Sequence, residues 1–214
     1  KSPETRGQKT GHEGHGQIEH YLKTGADVLQ PFARAGKPLL PRPGVDLHVE
    51  GGFATEEMTK AAITLRTTEL PSLSRDCEVT RLAGLTAAGI PLVGYIDVRH
   101  RRGEYVNTDG AICRESVPDR TAEVIDHKFS ADIDAYGKSA DEVVKTVQMT
   151  GYTVYVANVE PGIEIVRNSH IYYQTRGAKT ARKITALVVV DEARRRWERV
   201  DGVVRAMIDV AKAA

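Results

Sequence analysis

Helix-like and strand-like segments alternate along this chain, and their order restricts the fold more than any other feature of the sequence. Apolar residues at every second position are typical of a strand, whereas spacings of three and four residues are typical of a helix. Strand spacing occurs at 45–53, 91–98, 121–129, 163–174 and 183–190, and helical spacing occurs near 18–22, after 139 and from about 191. This order predicts one mixed α/β fold, with a central mixed β-sheet flanked by helices.

Capping and turn residues set several boundaries. Ser139 and Glu142 form a capping box, and the valines that follow predict a helix to about Ala157. Asp109-Gly110 is typical of a hairpin turn, so residues 103–116 are predicted to form two short strands.

The remaining segments are less regular. The prolines of 26–44 predict an extended connection, and 56–66 is compatible with a helix. We expect residues 1–9 to be a flexible tail and 10–214 to be a single domain.

Composition limits the compartment and the cofactors. The chain is 41% apolar and 28% charged, and no apolar run approaches the roughly 18 residues of a membrane span. The N-terminus carries no signal-like segment, so we expect a cytoplasmic protein with no membrane contact.

Cys77 and Cys113 are far apart and cannot by themselves form a zinc or iron–sulfur site. We read both as reduced thiols.

Charge restricts where a nucleic acid could bind. Thirty basic and 29 acidic residues leave a net charge of +1, so a DNA-binding surface would have to be local. We predict such a surface at Arg99, Arg101, Arg102, Arg176, Lys179, Arg182 and Lys183. A further basic group is Arg194, Arg195, Arg196 and Arg199. The alternative for each cluster is a solvated loop or helix face.

The triplet Asp126-His127-Lys128 lies within the predicted strand at 121–129. Residues two apart on a strand project from the same face, so Asp126 and Lys128 can address one bound group. The alternative is an edge strand with a solvated face. Asp97 ends the preceding predicted strand, and a second carboxylate beside Asp126 would provide the oxygen ligands that Mg²⁺ or Mn²⁺ prefers. Without Asp126 and Lys128, a turn residue at the end of a strand would be the favoured interpretation of Asp97.

The order of these motifs resembles the PD-(D/E)XK nucleases of the RecB-like exonuclease branch, in its phage-type form. The resemblance rests on Gly94-Tyr95-Ile96-Asp97, on Val124-Ile125-Asp126-His127-Lys128, on Gln148-Met149-Thr150-Gly151-Tyr152, and on the upstream Gly11 to Glu19 segment containing His15. It implies a restriction-endonuclease-like core and a Mg²⁺- or Mn²⁺-dependent deoxyribonuclease. The substrate would be single- or double-stranded DNA ends, and the activity would be exonucleolytic or flap-directed in recombination, replication or degradation.

The resemblance also implies residue roles. His15, Asp97, Asp126 and the carbonyl of His127 would hold the metal, and Lys128 would act on the attacking water. Gln148 and Tyr152 would support the strand being cut. The alternatives are a surface histidine for His15 and helix-to-sheet packing for Gln148 and Tyr152.

Two family features are absent from the sequence. The four cysteines of the iron–sulfur subgroup are missing, so we expect no cluster. The chain has no G-x-x-x-x-G-K-[ST] phosphate loop, so a partner helicase or recombination protein would lie on a separate chain. The alternative functions are a catalytically inactive DNA-binding module of the same fold and a structural or assembly protein. Salt-sensitive DNA affinity would exclude the second of these.

Overall fold

The computed structural model describes residues 3–24, 80–81, 86–87, 89–91, 94–107, 114–177 and 181–213. The helices are α1 (Arg6–Thr24), α2 (Ile133–Tyr136), α3 (Ala140–Lys145), α4 (Val147–Val159) and α5 (Val190–Ala213). The strands are β1 (Thr80–Arg81), β2 (Thr86–Ala87), β3 (Ile90–Pro91), β4 (Tyr95–Ile96), β5 (Val98–His100), β6 (Tyr105–Asn107), β7 (Arg114–Ser116), β8 (Thr121–Ser130), β9 (Ile165–Gln174) and β10 (Ala181–Val189).

Several predictions concern residues that the structure does not describe. The connection at 26–44, the strand at 45–53, the helix at 56–66, the turn at 109–110, both cysteines and Lys179 lie outside the described residues.

The chain is α/β, with a four-stranded mixed sheet in the order β10-β9-β8-β5. β5 and β8 are antiparallel. β8 and β9 are parallel, because the Arg120 carbonyl before β8 accepts from the amides of Glu164 and Ile165, where β9 begins. The connection between them runs through α2, α3 and α4, as parallel neighbours require a long crossover. The amide of Val190, after β10, donates to the Glu164 carbonyl, so β10 is antiparallel to β9.

Three sequence predictions require correction. α1 begins at Arg6, so residues 6–9 are helical and not tail. The predicted long strand at 91–98 is divided into short strands, and Asp97 lies in a bend between β4 and β5. The predicted helix after Ser139 is interrupted at Thr146, whose backbone is extended and whose side chain caps α4 by accepting from the Met149 amide. The capping box of Ser139 and Glu142 at the start of α3 is confirmed.

The other strand predictions that fall on described residues are confirmed. The strand at 121–129 corresponds to β8, the pair at 163–174 and 183–190 corresponds to β9 and β10, and β6 pairs with β7 as a hairpin. The last helix begins at Val190, one residue before its predicted start. None of the described helices is long and apolar enough to cross a membrane.

The chain folds as two compact units, each built from three segments. One contains Lys1–Cys77, His127–Gly137 and Ile171–Lys183, and we call it the α1 unit. The other contains Glu78–Asp126, Lys138–His170 and Ile184–Ala214, and we call it the α4 unit. The single domain over 10–214 stays a prediction.

The core of the α4 unit lies between α4 and one face of the sheet. Val124 and Val166 from the sheet pack with Met149, Tyr152 and Val156 from α4, and all five are buried. α4 is apolar on all sides and is almost wholly buried from Met149 to Ala157, which is typical of a helix enclosed by other elements. This packing fixes the face of β8 that also carries Asp126.

On the opposite face of the sheet, four polar side chains, one from each strand, form a chain of contacts. His100 Nδ1 lies 3.1 Å from Glu123 Oε2. The Ser169 hydroxyl donates to Glu123 Oε1 at 2.9 Å and lies 2.9 Å from the Thr185 hydroxyl. The side chains of His100 and Glu123 are fully buried. Because buried polar groups are costly unless bonded, this chain of contacts favours one alignment of the four strands.

The α1 unit packs around two aromatic rings. Phe129 and Tyr173 stack with centroids 5.1 Å apart, and the Tyr173 hydroxyl lies 3.0 Å from His127 Nδ1. α1 approaches Phe129 closely at Gly14, where a Cβ atom would overlap the ring. The glycine at this position therefore allows the helix to lie against the aromatic pair.

We expect Gly14→Ala to destabilise the fold by about 1–3 kcal/mol, because the added methyl must displace the Phe129 ring. Urea denaturation measures the change. Gly16→Ala is the matched control, since a Cβ there meets nothing within 4 Å. Alanine has the higher helix propensity, so this control should stabilise by about 0.5–1 kcal/mol. Equal stabilisation by both substitutions would contradict the close packing of Gly14 on Phe129.

Candidate active site

Asp97 directly precedes β5, and Asp126 lies on β8, the strand that pairs with β5. The antiparallel register sets Val98 opposite Ile125 and His100 opposite Glu123. The next pair outward from Val98 and Ile125 in the same register is Asp97 and Asp126. Directly opposed residues of antiparallel strands have Cβ atoms roughly 4.5–5.5 Å apart. The register continued by one step therefore predicts neighbouring positions for the two carboxylates, with Asp97 in the bend before β5.

α4 provides an amide and a phenol to the same place. Gln148 Nε2 donates to Asp126 Oδ1 and to the Tyr152 hydroxyl, at 2.8 Å in each case. The Tyr152 hydroxyl donates in turn to the backbone carbonyl of Tyr95, which lies two residues before Asp97. Gln148 and Tyr152 are one helical turn apart, as their spacing predicts. The pair thus links the strand of Asp126 to the segment that carries Asp97.

The two carboxylates affect the Tyr152 phenol electrostatically. Burial, followed by the negative charges of Asp126 and Asp97, raises the pKa of Tyr152 from 10.0 to about 12, against a lowering by the hydrogen bond from Gln148. Like charges within reach of an ionisable group disfavour its anionic form. Tyr152 therefore remains a neutral hydrogen-bond donor at physiological pH, and both carboxylates lie within electrostatic range of its hydroxyl.

His170 is a neighbour of Asp126 that the sequence analysis missed. It lies on β9, is buried, and its Nε2 is 3.9 Å from Asp126 Oδ2. The Asp126 carboxylate therefore lies between Gln148 on one oxygen and His170 on the other. No local pattern marks His170, because its position depends on the register of β9 against β8.

Lys128 and His127 follow Asp126 along β8. By strand alternation Lys128 projects from the same face as Asp126, and its side chain is half-buried. The His127 side chain contacts Tyr173, and the role of its backbone carbonyl as a metal ligand stays a prediction. These placements follow from β8 being one continuous strand.

His15, on α1, lies near two ring side chains of β8. Its ring centroid lies 6.2 Å from that of His127 and 5.9 Å from that of Phe129. Because these two side chains alternate with Lys128 along β8, His15 packs on the strand face opposite Lys128. The role of His15 as a metal ligand stays a prediction.

Asp97 and Asp126 are the candidate metal ligands of the site. Within the described ranges, no three or more histidine, cysteine, aspartate or glutamate residues form a group that could hold a metal. Mg²⁺ is nevertheless held in many enzymes by only one or two carboxylates, with water and substrate oxygens completing the shell. The carboxylates of the two aspartates are hard oxygen donors, which are the ligands that Mg²⁺ and Mn²⁺ prefer.

The predicted DNA-binding residues are placed as follows. Arg99 is half-buried on β5, and Arg101 is exposed after it. Arg102 is exposed and lies 3.8 Å from carboxylate oxygens of Asp119 and Glu160. Arg176 is exposed, Arg182 pairs with Asp134, and Lys183 is half-buried. On α5, Arg194 and Arg196 pair with acids of the same helix, which favours the solvated-face interpretation for that cluster.

Comparison with protein-family models, with curated proteins and with solved structures gives no match to this chain.

We expect the difference in free energy of unfolding between the wild type and Tyr152→Phe to become smaller as the pH rises. The pKa of the Tyr152 phenol is raised from 10.0 in the unfolded chain to about 12 in the folded protein. Its contribution to stability is therefore fully present below the unfolded-state pKa and is lost as the pH rises through the folded-state pKa. The phenylalanine variant lacks this titration, whereas the other tyrosines contribute equally to both proteins. Urea midpoints of the pair at about pH 8 and about pH 11 measure the gap. A gap that is equal at both pH values would contradict the shifted pKa.

Proposed function

We propose that this protein is a divalent-metal-dependent deoxyribonuclease of the PD-(D/E)XK type, with a restriction-endonuclease-like core. The observation that carries the proposal is the hydrogen bond from Gln148 to Asp126, on β8, which pairs with the strand that follows Asp97. Three motifs that are separate in sequence thus share one place on the sheet. The resemblance to the RecB-like exonuclease branch rests on the same three motifs.

In this proposal Asp97 and Asp126 would hold Mg²⁺ or Mn²⁺, with the backbone carbonyl of His127 as a further oxygen donor. When bound, the ion would lower the pKa of a water and stabilise the charge that develops on the phosphate. The proposal does not include the iron–sulfur cluster of the related subgroup, because the chain has only two cysteines.

The chain's own residues have separate tasks. Gln148 fixes the orientation of the Asp126 carboxylate, and the neutral Tyr152 hydroxyl accepts from Gln148 and donates to the Tyr95 carbonyl. Lys128 is the group on the Asp126 face that orients the attacking water or neutralises the charge of the scissile phosphate. Gln148 is exposed although its amide is bonded, so it lies where a DNA strand has access.

The substrate is proposed to be DNA, with ends preferred. Arg99, Arg101 and Arg102 follow Asp97 directly, so a strand held for cleavage would meet them beside the carboxylates. Each phosphate contact should make the affinity more sensitive to salt. A helicase or recombination protein on a separate chain is the proposed partner.

The test is cleavage of end-labelled linear duplex, single-stranded DNA, closed circular DNA and RNA, each with Mn²⁺, Mg²⁺ or EDTA. We expect cleavage of linear DNA with either metal and none with EDTA. Spared circles would define an exonuclease, and cut circles would define an endonuclease. If no metal supports cleavage although salt-sensitive DNA binding persists, the protein is an inactive binding module and the proposed function is wrong.

A further inference from the structure

Asp126 on β8 and His170 on β9 face each other from neighbouring strands of the sheet. The Nε2 atom of His170 lies 3.9 Å from Oδ2 of Asp126, and the two side chains are only 2% and 4% exposed. Both residues belong to the α4 unit. One imidazole nitrogen and one carboxylate oxygen therefore lie close together in a buried position.

The neighbours of these two side chains fix the direction in which they point. Val166 packs against α4, and the Asn168 amide donates to a threonine hydroxyl of that helix at 2.8 Å. Because side chains alternate along a strand, His170 faces the same helix. Asp126 faces it too, since its Oδ1 accepts from Gln148 on α4. The pairing of β8 with β9 thus brings the two groups together on one face of the sheet.

The distance between the two atoms restricts what can join them. A separation of 3.9 Å is too long for a direct hydrogen bond, which needs about 2.7–3.2 Å between nitrogen and oxygen. A water bonded to both atoms with tetrahedral geometry would hold them about 4.6 Å apart. Two bonds of about 2.1 Å to one metal ion hold their donor atoms between about 3.0 Å at a right angle and about 4.2 Å in line. The observed distance lies within the range of one shared ion.

The two oxygens of the Asp126 carboxylate have different neighbours. Oδ1 accepts from Gln148 at 2.8 Å, whereas Oδ2 faces His170. A carboxylate can thus accept a hydrogen bond with one oxygen and bind an ion with the other. A buried ion pair without good hydrogen-bond geometry is poorly compensated for its loss of water, and a shared ion would give Oδ2 and Nε2 a direct bond each.

We propose that Nε2 of His170 is a ligand of the metal ion that Asp126 holds. This inference rests on the proposed function, which requires the ion, and it adds a nitrogen ligand from β9. Water and phosphate oxygens complete the shell. Mg²⁺ takes oxygen ligands, whereas first-row transition ions such as Mn²⁺ also accept imidazole. The site therefore selects Mn²⁺ over Mg²⁺.

Metal binding in the absence of DNA tests the selectivity. The EPR signal of free Mn²⁺ is followed during a titration, and displacement by Mg²⁺ gives the second affinity. We expect His170→Gln to weaken Mn²⁺ binding at least about tenfold and Mg²⁺ binding by less, so that the preference for Mn²⁺ becomes smaller. His12→Gln is the control, because His12 is exposed on α1 and pairs with Glu4. It should bind both ions as the wild type does.

Pulsed EPR of the bound Mn²⁺ identifies the ligand, because a coordinated imidazole nitrogen couples to the electron spin of the metal. We expect this coupling in the wild type, in His12→Gln and in His15→Gln, and its loss in His170→Gln. The wild-type spectrum does not depend on how any variant folds. A wild type that binds no Mn²⁺, or that binds it without imidazole coupling, would overturn the proposal.

The histidine variants decide which imidazole is the ligand. The family resemblance assigns a metal-binding histidine to His15, so the two histidines give opposite expectations. Coupling that persists in His170→Gln and is lost in His15→Gln would assign the nitrogen to His15 and would also overturn the proposal.

The spectra and the cleavage assay together separate this inference from the proposed function. Imidazole coupling from His170, with no DNA cleavage in any metal, would sustain the ligand and refute the nuclease. Metal-dependent cleavage by a protein whose bound Mn²⁺ shows no imidazole coupling would do the reverse.

Discussion

Asp126→Asn should lose metal-dependent DNA cleavage by about a thousandfold or more. The substitution removes one of two carboxylate charges while it keeps the shape of the side chain and an oxygen for the Gln148 amide. Metal-supported stabilisation of the transition state amounts to several kcal/mol, and each 1.36 kcal/mol corresponds to about a tenfold change in rate. Initial rates on labelled linear DNA at saturating Mn²⁺ measure the loss.

Asp141→Asn is the matched control for this loss, because Asp141 is an exposed acid in the first turn of α3. It changes the net charge by the same amount at an exposed position of a helix. We expect it to retain the wild-type rate. Cleavage that persists in Asp126→Asn, or falls equally in both variants, would contradict the catalytic assignment of Asp126.

Glu123→Ala should destabilise the protein by about 3–5 kcal/mol, the usual cost of removing one partner from a buried charged contact. The substitution leaves the His100 imidazole and the Ser169 hydroxyl buried without the carboxylate that both contact. Because Glu123 and His100 stand opposite each other in the register of β5 and β8, the alignment of Asp97 with Asp126 should also weaken. Urea denaturation measures the loss of stability.

Glu164→Ala provides the matched control for Glu123. Glu164 pairs with Arg120 at 2.8 Å, but both side chains are more than half exposed. Exposed ion pairs contribute about 0–1 kcal/mol, so the two glutamates should differ several-fold in their effects. Equal losses of stability in the two variants would show that the contacts from His100 to Thr185 do not hold the sheet together.

Local patterns predicted the parts of the fold that depend on a few neighbouring residues. The alternation of 121–129 identified β8, and Ser139 with Glu142 identified the start of α3. The four-residue spacing of Gln148 and Tyr152 predicted that they share one helical face, and they are hydrogen-bonded. Each of these predictions depends on the spacing of residues within one helix or strand, and that spacing is visible in the sequence.

Contacts between elements were not predictable in the same way. His170 beside Asp126, and the chain from His100 through Glu123 and Ser169, both depend on how β9 and β5 align with β8. Several registers suit the same alternation of apolar residues, so the pattern of one strand cannot choose among them. The break at Thr146 was missed for a related reason, because the valines on either side continue one helical spacing.

The central claim is that Asp97 and Asp126 together hold the metal ion on which DNA cleavage depends. Affinity cleavage by Fe²⁺ tests this claim most directly. Fe²⁺ shares its oxygen and nitrogen ligands with Mn²⁺, and with ascorbate and peroxide it cuts the backbone next to its own site. Mass spectrometry of the fragments should locate cuts beside Asp97 and Asp126, suppressed by excess Mg²⁺ and lost in Asp126→Asn. Cuts confined to other segments, or unchanged in Asp126→Asn, would contradict the claim.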